Sequence, residues 1–384
     1  MNAAHNGGPL YRGTGELSPD EPYESRTWPE GPPWRHFRAP ATMPQPPDDD
    51  EADRRLGPPG RPRTPRPEEV RLVNAALLLR RPLLVSGRPG VGKSGLAYRI
   101  ARELRLGRVL HWPVTSRTTL ASGLYEYDAI GRAQATHDEV RAAGAADPGA
   151  RDSGARDAGG DGEHVQGDGG HDGKGQGGAG GDRPGVGNYV QLGPLGTGLL
   201  PYRLPRVVLI DEIDKCDADL PNDLLTLFED AWFDVPPLVR VKRNEPTATV
   251  HTADPGGTAV IEEGVVRAHT FPIVVMTSNG EREFPEAFMR RCLRLDIPDP
   301  DAETLAELVA GHFGDRLGPG RDELIQDFLR RSARVGGLAA DQLLNAAHLA
   351  TSGLYEPGGG DAGEWQAVLS AIWHPLGGEG ADTA

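Results

Sequence analysis

The sequence predicts an α/β fold, with a parallel β-sheet flanked by helices and a C-terminal α-helical lid domain. Between residues 67 and 298, short apolar runs typical of buried strands alternate with stretches of helical spacing. Residues 299–384 show the helical pattern alone, which predicts a small α-helical domain at this end. Residues 1–66 and 138–187 lack any apolar period, which predicts a disordered N-terminal arm and a flexible Gly/Asp-rich insert in the α/β domain.

Each element is expected from its own residues. A helix should begin at Pro67, because apolar residues recur on one face and acidic residues occupy the first turn. An amphipathic helix is predicted over 220–233, and the turn residues between 236 and 271 predict one or two hairpins. Four apolar runs predict buried strands. They lie within 83–86, 109–114, 207–214 and 271–279.

The composition argues against several classes of protein. Hydrophobic content is 37%, with 52 Gly and 35 Pro, so much of the chain lies outside a packed core. The two cysteines, Cys216 and Cys292, are far apart, which is typical of a reducing compartment rather than a disulfide framework. No apolar run is long enough to span a membrane and no signal-like segment begins the chain, so a cytoplasmic protein is expected. The net charge of −15 argues against a general nucleic-acid binder.

A glycine-rich loop follows the first predicted strand and opens a helix, in the pattern G-x-x-x-x-G-K-S. A triphosphate needs closely approaching backbone N–H groups and a helix N-terminus to meet its negative charge, and this arrangement supplies both. Lys93 is expected to reach the β- and γ-phosphates, and the Ser94 hydroxyl to ligate Mg²⁺. The expected phosphate cradle consists of Gly87, Arg88, Pro89, Gly90, Val91, Gly92, Lys93, Ser94 and Gly95.

An apolar run ends in carboxylates in VVLIDEID, where Asp211 and Glu212 stand side by side. Asp211 is the candidate for the metal side, and Glu212 is placed to orient and polarise the attacking water. Hydrolysis needs separate groups for these tasks, because a carboxylate engaged with Mg²⁺ is a poor base. Asn279 ends the strand FPIVVMTSN and is expected to hydrogen-bond the γ-phosphate or the water without adding charge.

A predicted surface helix ends in two arginines, in PEAFMRRCLRLDI (285–297). Such a pair is common on a solvated helix face, where it complements the helix dipole. In a ring of identical subunits, an arginine at this place could instead stabilise transition-state charge in the neighbour's site, and Arg291 is preferred over Arg290 for this role. His111 lies within a predicted strand without partners at metal-ligand spacing, which indicates a core or edge histidine. Asp214, Lys215 and Cys216 are expected to serve packing or an interface rather than catalysis.

The order of these motifs, GRPGVGKS, VVLIDEID, MTSN and the paired arginines, resembles the AAA+ superfamily of P-loop ATPases. Within it the chain is most similar to the MoxR-like family, through FPEAFMRRC and the predicted hairpins over 236–271. The strings VTSRTTLASGLYEYDAIGR and DLPNDLLTLFEDAWFDVP resemble a MoxR-like subgroup of bacterial conflict or effector gene clusters.

The resemblance implies that ATP and Mg²⁺ are bound and that identical subunits assemble into a ring, a hexamer. By this resemblance Lys93, Ser94, Asp211 and Glu212 form the nucleotide and metal site. Asn279 would be a sensor, and Arg291 would act on an adjacent subunit. The family also implies a protein partner, such as a von Willebrand A-domain protein.

Two further residue roles are implied with less support from the motifs. Thr115 or Ser116, at the end of the second strand, would contact Glu212 and gate it. A lid arginine would touch the phosphate, and the local pattern ARVGGLAADQLL offers only Arg334 for this role.

Three functions remain open from the sequence. The first is an ATPase that couples hydrolysis to remodelling of a protein partner. The second is a nucleotide-dependent switch or scaffold in a conflict or signalling system, with little autonomous turnover. The third, a nucleic-acid motor, is disfavoured by the negative charge and by the lack of a basic stripe outside RPRTPRP in the arm.

Overall fold

The computed structural model describes residues 9–17, 28–35, 37, 39–46, 50–145, 185–318, 320–335, 337–352 and 362–375. Most of the predicted insert, residues 146–184, therefore lies outside the described residues, as do parts of the predicted arm. No helix within the described ranges combines the length and the apolar character that crossing a bilayer requires.

The described helices are α1 (Glu51–Leu56), α2 (Pro67–Leu79), α3 (Gly95–Leu104), α4 (Leu120–Leu124), α5 (Ala129–Ala145), α6 (Pro194–Gly198), α7 (Asp219–Asp230), α8 (Pro236–Val241), α9 (Glu286–Met289), α10 (Ala302–Phe313), α11 (Gly320–Val335), α12 (Ala340–Thr351) and α13 (Ala362–Ile372). The described strands are β1 (Leu83–Ser86), β2 (Leu110–Pro113), β3 (Tyr125–Tyr127), β4 (Val190–Leu192), β5 (Val207–Asp211), β6 (Trp232–Asp234), β7 (Thr247–His251), β8 (Thr258–Glu262), β9 (Val265–Arg267), β10 (Ile273–Ser278) and β11 (Leu293–Asp296).

Five parallel strands form the central sheet, in the order β11-β1-β10-β5-β2. Its inner strands β1, β10 and β5 are nearly continuous runs of buried apolar residues, as expected where helices cover both faces. The carboxyl ends of these strands meet at one edge, where ligands of open α/β sheets bind. The prediction of a parallel sheet flanked by helices, with helices at the C-terminus, is confirmed.

A second, six-stranded sheet lies beside the first, in the order β3-β4-β7-β8-β9-β6. Its centre is the antiparallel hairpin of β7 and β8, which alternates exposed and buried side chains. The turn residues predicted hairpins here, but the joining of β3, β4 and β6 to them was not predicted. Short strands such as β3 and β4 carry too little pattern to be recognised without their partners.

Several local elements differ from the prediction. The helix predicted over 220–233 ends at Asp230, and Trp232–Asp234 form strand β6. Residues after the paired arginines, Leu293–Asp296, form the edge strand β11 beside β1, although charged residues alternate in it. Helix α5 continues to Ala145, beyond the expected start of the insert at residue 138.

The C-terminal helices α10 to α13 enclose an apolar cluster of their own, including Leu305, Phe328 and Trp373.

The described parts of the Pro-rich arm pack on the α/β domain, which its composition did not predict. Tyr11 is fully buried (0% exposed) in the cluster beneath α2 and α3. Its hydroxyl donates to Glu69 Oε1 (2.6 Å), and Asn74 both accepts from its backbone N–H and donates to its carbonyl (3.1 and 2.7 Å). One buried aromatic side chain therefore fixes a segment with no secondary structure of its own.

Candidate functional site

The site lies at the carboxyl edge of the central sheet, where the loop after β1 leads into α3. Lys93 is only 7% exposed, and its ammonium group donates to the carbonyls of Gly87 and Arg88 (both 2.8 Å) and to Asn279 Oδ1 (2.7 Å). Burial lowers the pKa of Lys93, and the nearby carboxylates oppose this effect. The ammonium is thus held over the loop, on the same side as the end of β10.

Two glycines give the loop its shape. Gly90 and Gly92 have φ of +75° and +87°, which side-chain-bearing residues rarely adopt. A Cβ added at Gly92, which lines the cavity, would meet no atom within 4 Å. A Cβ at Gly90 would lie 2.3 Å from Ala339 Cβ, and the Ala340 N–H donates to the Gly90 carbonyl (3.1 Å). The start of lid helix α12 therefore rests on the loop.

Asp211 ends β5 and faces three polar side chains. Its Oδ1 accepts from Ser94 Oγ (2.7 Å) and Thr277 Oγ1 (2.6 Å), and its Oδ2 lies 3.3 Å from His111 Nε2. Burial alone raises the pKa of this carboxyl, but the contacts with the three side chains outweigh burial and lower the pKa to about 2. Asp211 is therefore an anion at neutral pH, directly beside the Ser94 hydroxyl.

Glu212 follows in a strained backbone conformation that turns it away from the strand. Its φ is 60°, in the left-handed region that is uncommon for residues other than glycine. Its N–H donates to Thr277 Oγ1 (2.8 Å), and its carboxylate Oε2 accepts from Lys215 Nζ (2.6 Å). The hydrogen bond to Glu212 raises the pKa of Lys215. Glu212 and Asp211 thus point to different partners, as separate tasks require.

Asn279 is fixed at the tip of β10 by a buried carboxylate. Asp214, 3% exposed, accepts at Oδ2 from the backbone N–H of Asn279 (2.8 Å) and of Glu281 (3.1 Å). Asp214 therefore orients the turn that presents the Asn279 amide to Lys93, in agreement with the packing role expected for it.

Thr277 is the residue that the motif analysis missed. It is fully buried (0% exposed), and its one hydroxyl donates to Asp211 and accepts from the Glu212 N–H. The Thr277 hydroxyl thereby links both Asp211 and Glu212 to β10. A polar residue within the apolar run of that strand was the only signal for it in the sequence.

For the ATP hydrolysis that the sequence motifs predict, replacing Thr277 with Val should lower kcat about tenfold or more with little change in KM, because two buried polar groups lose their partner. Thr277→Ser keeps the hydroxyl, and we expect its kcat within about threefold of wild type. Steady-state phosphate release measures both. Equal loss of kcat in the Val and Ser variants would contradict this role of the hydroxyl, because Ser retains it.

Arg291 lies outside the lining of the cavity. Its guanidinium Nε donates to Glu229, and Arg290, which follows α9, pairs with Glu286 of that helix (2.8 Å). Arg290 is exposed and Arg291 is half-buried, and neither lines the cavity at the phosphate loop of its own chain.

Other candidates lie as follows. His111 is half-buried against Asp211, a carboxylate partner that its sequence spacing did not reveal. The hydroxyl of Thr115 lies 3.2 Å from that of Thr118, and the carboxylate of Glu212 pairs with Lys215, so no contact between Thr115 and Glu212 supports the expected gate. Arg334 lies in the last turn of α11, outside the cavity lining.

A cavity of about 660 Å³ opens over the loop, within the range usual for small-molecule sites. Its lining combines the sheet edge, the lid and two segments of the N-terminal arm. From the sheet edge come Pro89, Gly90, Val91, Gly92, Lys93, Ser94, Gly95, Asp211, Glu212, Thr277 and Asn279. Gly87 and Arg88 stand behind this surface and hold Lys93 through their carbonyls.

The residues present fit a nucleoside triphosphate with Mg²⁺. The open glycine backbone and the Lys93 ammonium suit a polyphosphate, while a hydroxyl and an ionised carboxylate 2.7 Å apart suit a hard cation. Among the residues that the structure describes, no group of three or more His, Cys, Asp and Glu side chains is arranged to hold a metal ion. A Mg²⁺ ion would therefore depend on Ser94 and Asp211 together with oxygens of the substrate and water.

Comparison with known protein families gives one match. Residues 82–292, more than half of the 384-residue chain, match the family model described as AAA domain, dynein-related subfamily. The matched range contains the glycine loop, both carboxylates, the strand β10 and the paired arginines, and it ends before α10. A search of curated proteins finds no match to the chain.

Proposed function

The chain belongs to the dynein-related subfamily of AAA domains, within the AAA+ ATPase superfamily, and from this premise we propose that it binds and hydrolyses ATP with Mg²⁺ to remodel or regulate a protein partner. The MoxR-like character, the ring and the partner belong to this proposal. They rest on the resemblance of the sequence motifs, and a von Willebrand A-domain protein is the partner that this resemblance favours.

One observation carries the proposal: the separate motifs converge on a single cluster. Lys93 reaches Asn279 at 2.7 Å, and Ser94 reaches Asp211 at 2.7 Å, across 186 and 117 residues of sequence. Groups for phosphate, metal and water therefore meet at one sheet edge. Convergence of such groups at a topologically favoured place is the strongest structural indication of catalysis.

The residues of this cluster divide the work of hydrolysis. Lys93 would leave the loop carbonyls for phosphate oxygens, and the loop N–H groups would orient the polyphosphate. Ser94 and Asp211 would hold Mg²⁺, which when bound neutralises charge on phosphate oxygens. Glu212 would accept a proton from the attacking water, and Asn279 would orient that water or the terminal phosphate.

Arg291 has a place in this scheme only in an assembly, because it lies outside the cavity of its own chain. We therefore assign it to the site of a neighbouring subunit in a ring, where a guanidinium stabilises negative charge on the transferred phosphoryl group. Opening its ion pair with Glu229 costs little, because both side chains remain accessible to solvent.

We expect ATP turnover per subunit to rise steeply with protein concentration, because an incomplete site gains its arginine only on assembly. Arg291→Ala should reduce turnover at saturating concentration by about a thousandfold. Arg290→Ala, which removes the adjacent exposed guanidinium, serves as the matched control and should stay near wild type. Phosphate release over a dilution series measures all three.

Constant turnover per subunit across the dilution series, with Arg291→Ala as active as wild type, would contradict the ring site. Absence of turnover with ATP still bound would contradict autonomous hydrolysis and leave the switch as the better proposal.

One observation favours that second function, a nucleotide-dependent switch or scaffold. The carboxylate of Glu212 is engaged by Lys215 at 2.6 Å, so a base held in this way is less available to water. In a switch, a partner would open this pair and raise a slow basal turnover. The basal rate of the wild type, measured with and without partner, separates the two functions.

A further inference from the structure

Two segments of the N-terminal arm, residues 9–17 and 50–66, together form what we call the strap. The strap lines the same cavity as the glycine loop, through residues that include Thr14, Leu56 and Thr64. None of the recognised nucleotide motifs includes these residues, and the matched family range begins after them, at residue 82. The strap is therefore a feature of the site that the motifs do not explain.

The first end of the strap is anchored on α3, the helix that begins at the glycine loop. The Glu103 carboxylate, on a residue only 1% exposed, accepts backbone N–H groups from Arg12, Gly13 (3.1 Å) and Gly15 (3.2 Å). A carboxylate that accepts several backbone N–H groups forms charge-assisted hydrogen bonds, which are stronger than neutral ones. This end of the strap is consequently fixed to the helix that carries the phosphate loop.

The middle of the strap, helix α1, packs along the outer face of α3. Arg102 donates to Asp53 Oδ1 (2.8 Å) and to the Gly57 carbonyl (2.7 Å). The guanidinium of Arg55 lies over the ring of Tyr98, 5.3 Å from its centroid. The strap is thus packed on α3 before it reaches the lid.

The far end of the strap reaches the lid helix α10. The Thr64 N–H donates to Glu307 Oε1 (3.0 Å), and the Thr64 hydroxyl donates to the same carboxylate. Arg66 donates to the Thr304 hydroxyl (3.3 Å) one turn earlier. Residues 50–66, the second segment of the strap, therefore connect the phosphate-loop helix to the lid beside the cavity.

We infer that the strap is a third wall of the nucleotide site, which holds lid helix α10 against α3 around a bound nucleoside triphosphate and slows its release. The cavity keeps a volume of about 660 Å³ beside the strap, so the strap borders the space without filling it. The remaining volume therefore favours a wall beside the nucleotide over an inhibitory plug that would occupy the nucleotide's place. The inference rests on the proposed binding of ATP and concerns only how long the nucleotide is retained.

The test measures how the contact between the strap and the lid affects nucleotide release. Dissociation of a fluorescent, non-hydrolysable ATP analogue with Mg²⁺ is followed after a chase with excess ATP. Glu307→Ala should release the analogue about three- to tenfold faster, because a hydrogen-bond acceptor with formal charge is lost. Thr64→Val should have a smaller effect in the same direction, because its N–H remains. Glu323→Ala, an exposed lid glutamate outside the cavity lining, is the matched control and should be unchanged.

The double variant Thr64→Val/Glu307→Ala should release the analogue no faster than Glu307→Ala alone, because both changes remove one contact. Additive effects, or an unchanged release rate in Glu307→Ala, would overturn the inference. Faster association with unchanged release would identify a plug and overturn it as well. If the wild type fails to bind the analogue, the proposed function itself fails, and this result is distinct from the others. Thermal unfolding of each variant verifies that it is folded.

Discussion

Glu212→Gln is expected to lower ATP turnover by about two to four orders of magnitude while nucleotide binding persists, because an amide cannot take the proton of the attacking water. The backbone of Glu212 is held by Thr277, so Gln should occupy the same place. The change also removes one negative charge near the phosphates, which does not weaken binding of an anion. Phosphate release and titration with a fluorescent ATP analogue measure the two effects separately.

The chain offers a closely matched control for this variant. Glu263 also has a positive φ, 51°, and lies in the turn between β8 and β9 on the second sheet. Glu263→Gln therefore repeats both the chemical change and the backbone setting at a distance from the cavity. Turnover of Glu212→Gln within about threefold of wild type would contradict the role of Glu212 as base, since general-base catalysis contributes far more.

The second large effect is expected for Lys93→Met, which should weaken ATP binding by about a hundredfold or more. Truncating one partner of a desolvated charge pair costs about 2–5 kcal/mol. Met retains much of the aliphatic stem, so the loss reports on the ammonium group rather than on packing. Binding is measured by titration with the fluorescent ATP analogue.

The free protein should tolerate this change. Burial lowers the pKa of Lys93, which shows that the charged ammonium is disfavoured at its site relative to water. We therefore expect a Tm within a few degrees of wild type. Lys242→Met, at an exposed position after α8, is the control for removing a lysine charge. Wild-type affinity in Lys93→Met would exclude the glycine loop as the phosphate site.

Much of the site can be predicted from the sequence, because each motif consists of residues that are neighbours in the chain. The glycine loop needs φ values that glycine alone adopts readily, and it stands between a buried strand and a helix, so the residues of one segment identify it. The strand ending in Asp211 and Glu212 is similarly marked by an apolar run that stops at carboxylates. These patterns predicted β1 with its observed limits, Leu83–Ser86.

Other parts were not predictable because they depend on which segments become neighbours. Thr277 gains its two partners only because β10 pairs with β5, with Met276 opposite Ile210. His111 meets Asp211 because β2 pairs with the other side of β5. Strand β11 and the short strands of the second sheet are stabilised by their pairing, and their own residues carry little β pattern.

The Pro-rich N-terminal arm shows most clearly that contacts between distant segments are not predictable from sequence. Its composition, with 14 prolines in residues 1–66, predicts a chain that cannot bury enough apolar surface to fold alone. The described segments are instead ordered by groups on the α/β domain, including the buried carboxylate of Glu103 and the pocket around Tyr11. Composition describes a segment in isolation, whereas its order depends on the surface that receives it.

The sequence by itself determined the α/β class, the helical C-terminus, the glycine loop and the identity of the acidic pair, because backbone conformation and hydrophobic period are local properties. The tertiary structure alone decided that β10 lies between β1 and β5, which brings Lys93 to Asn279 and Thr277 to both carboxylates. It also decided that the strap joins α3 to the lid. Such contacts arise from the packing of distant segments, whose mutual positions no local pattern encodes.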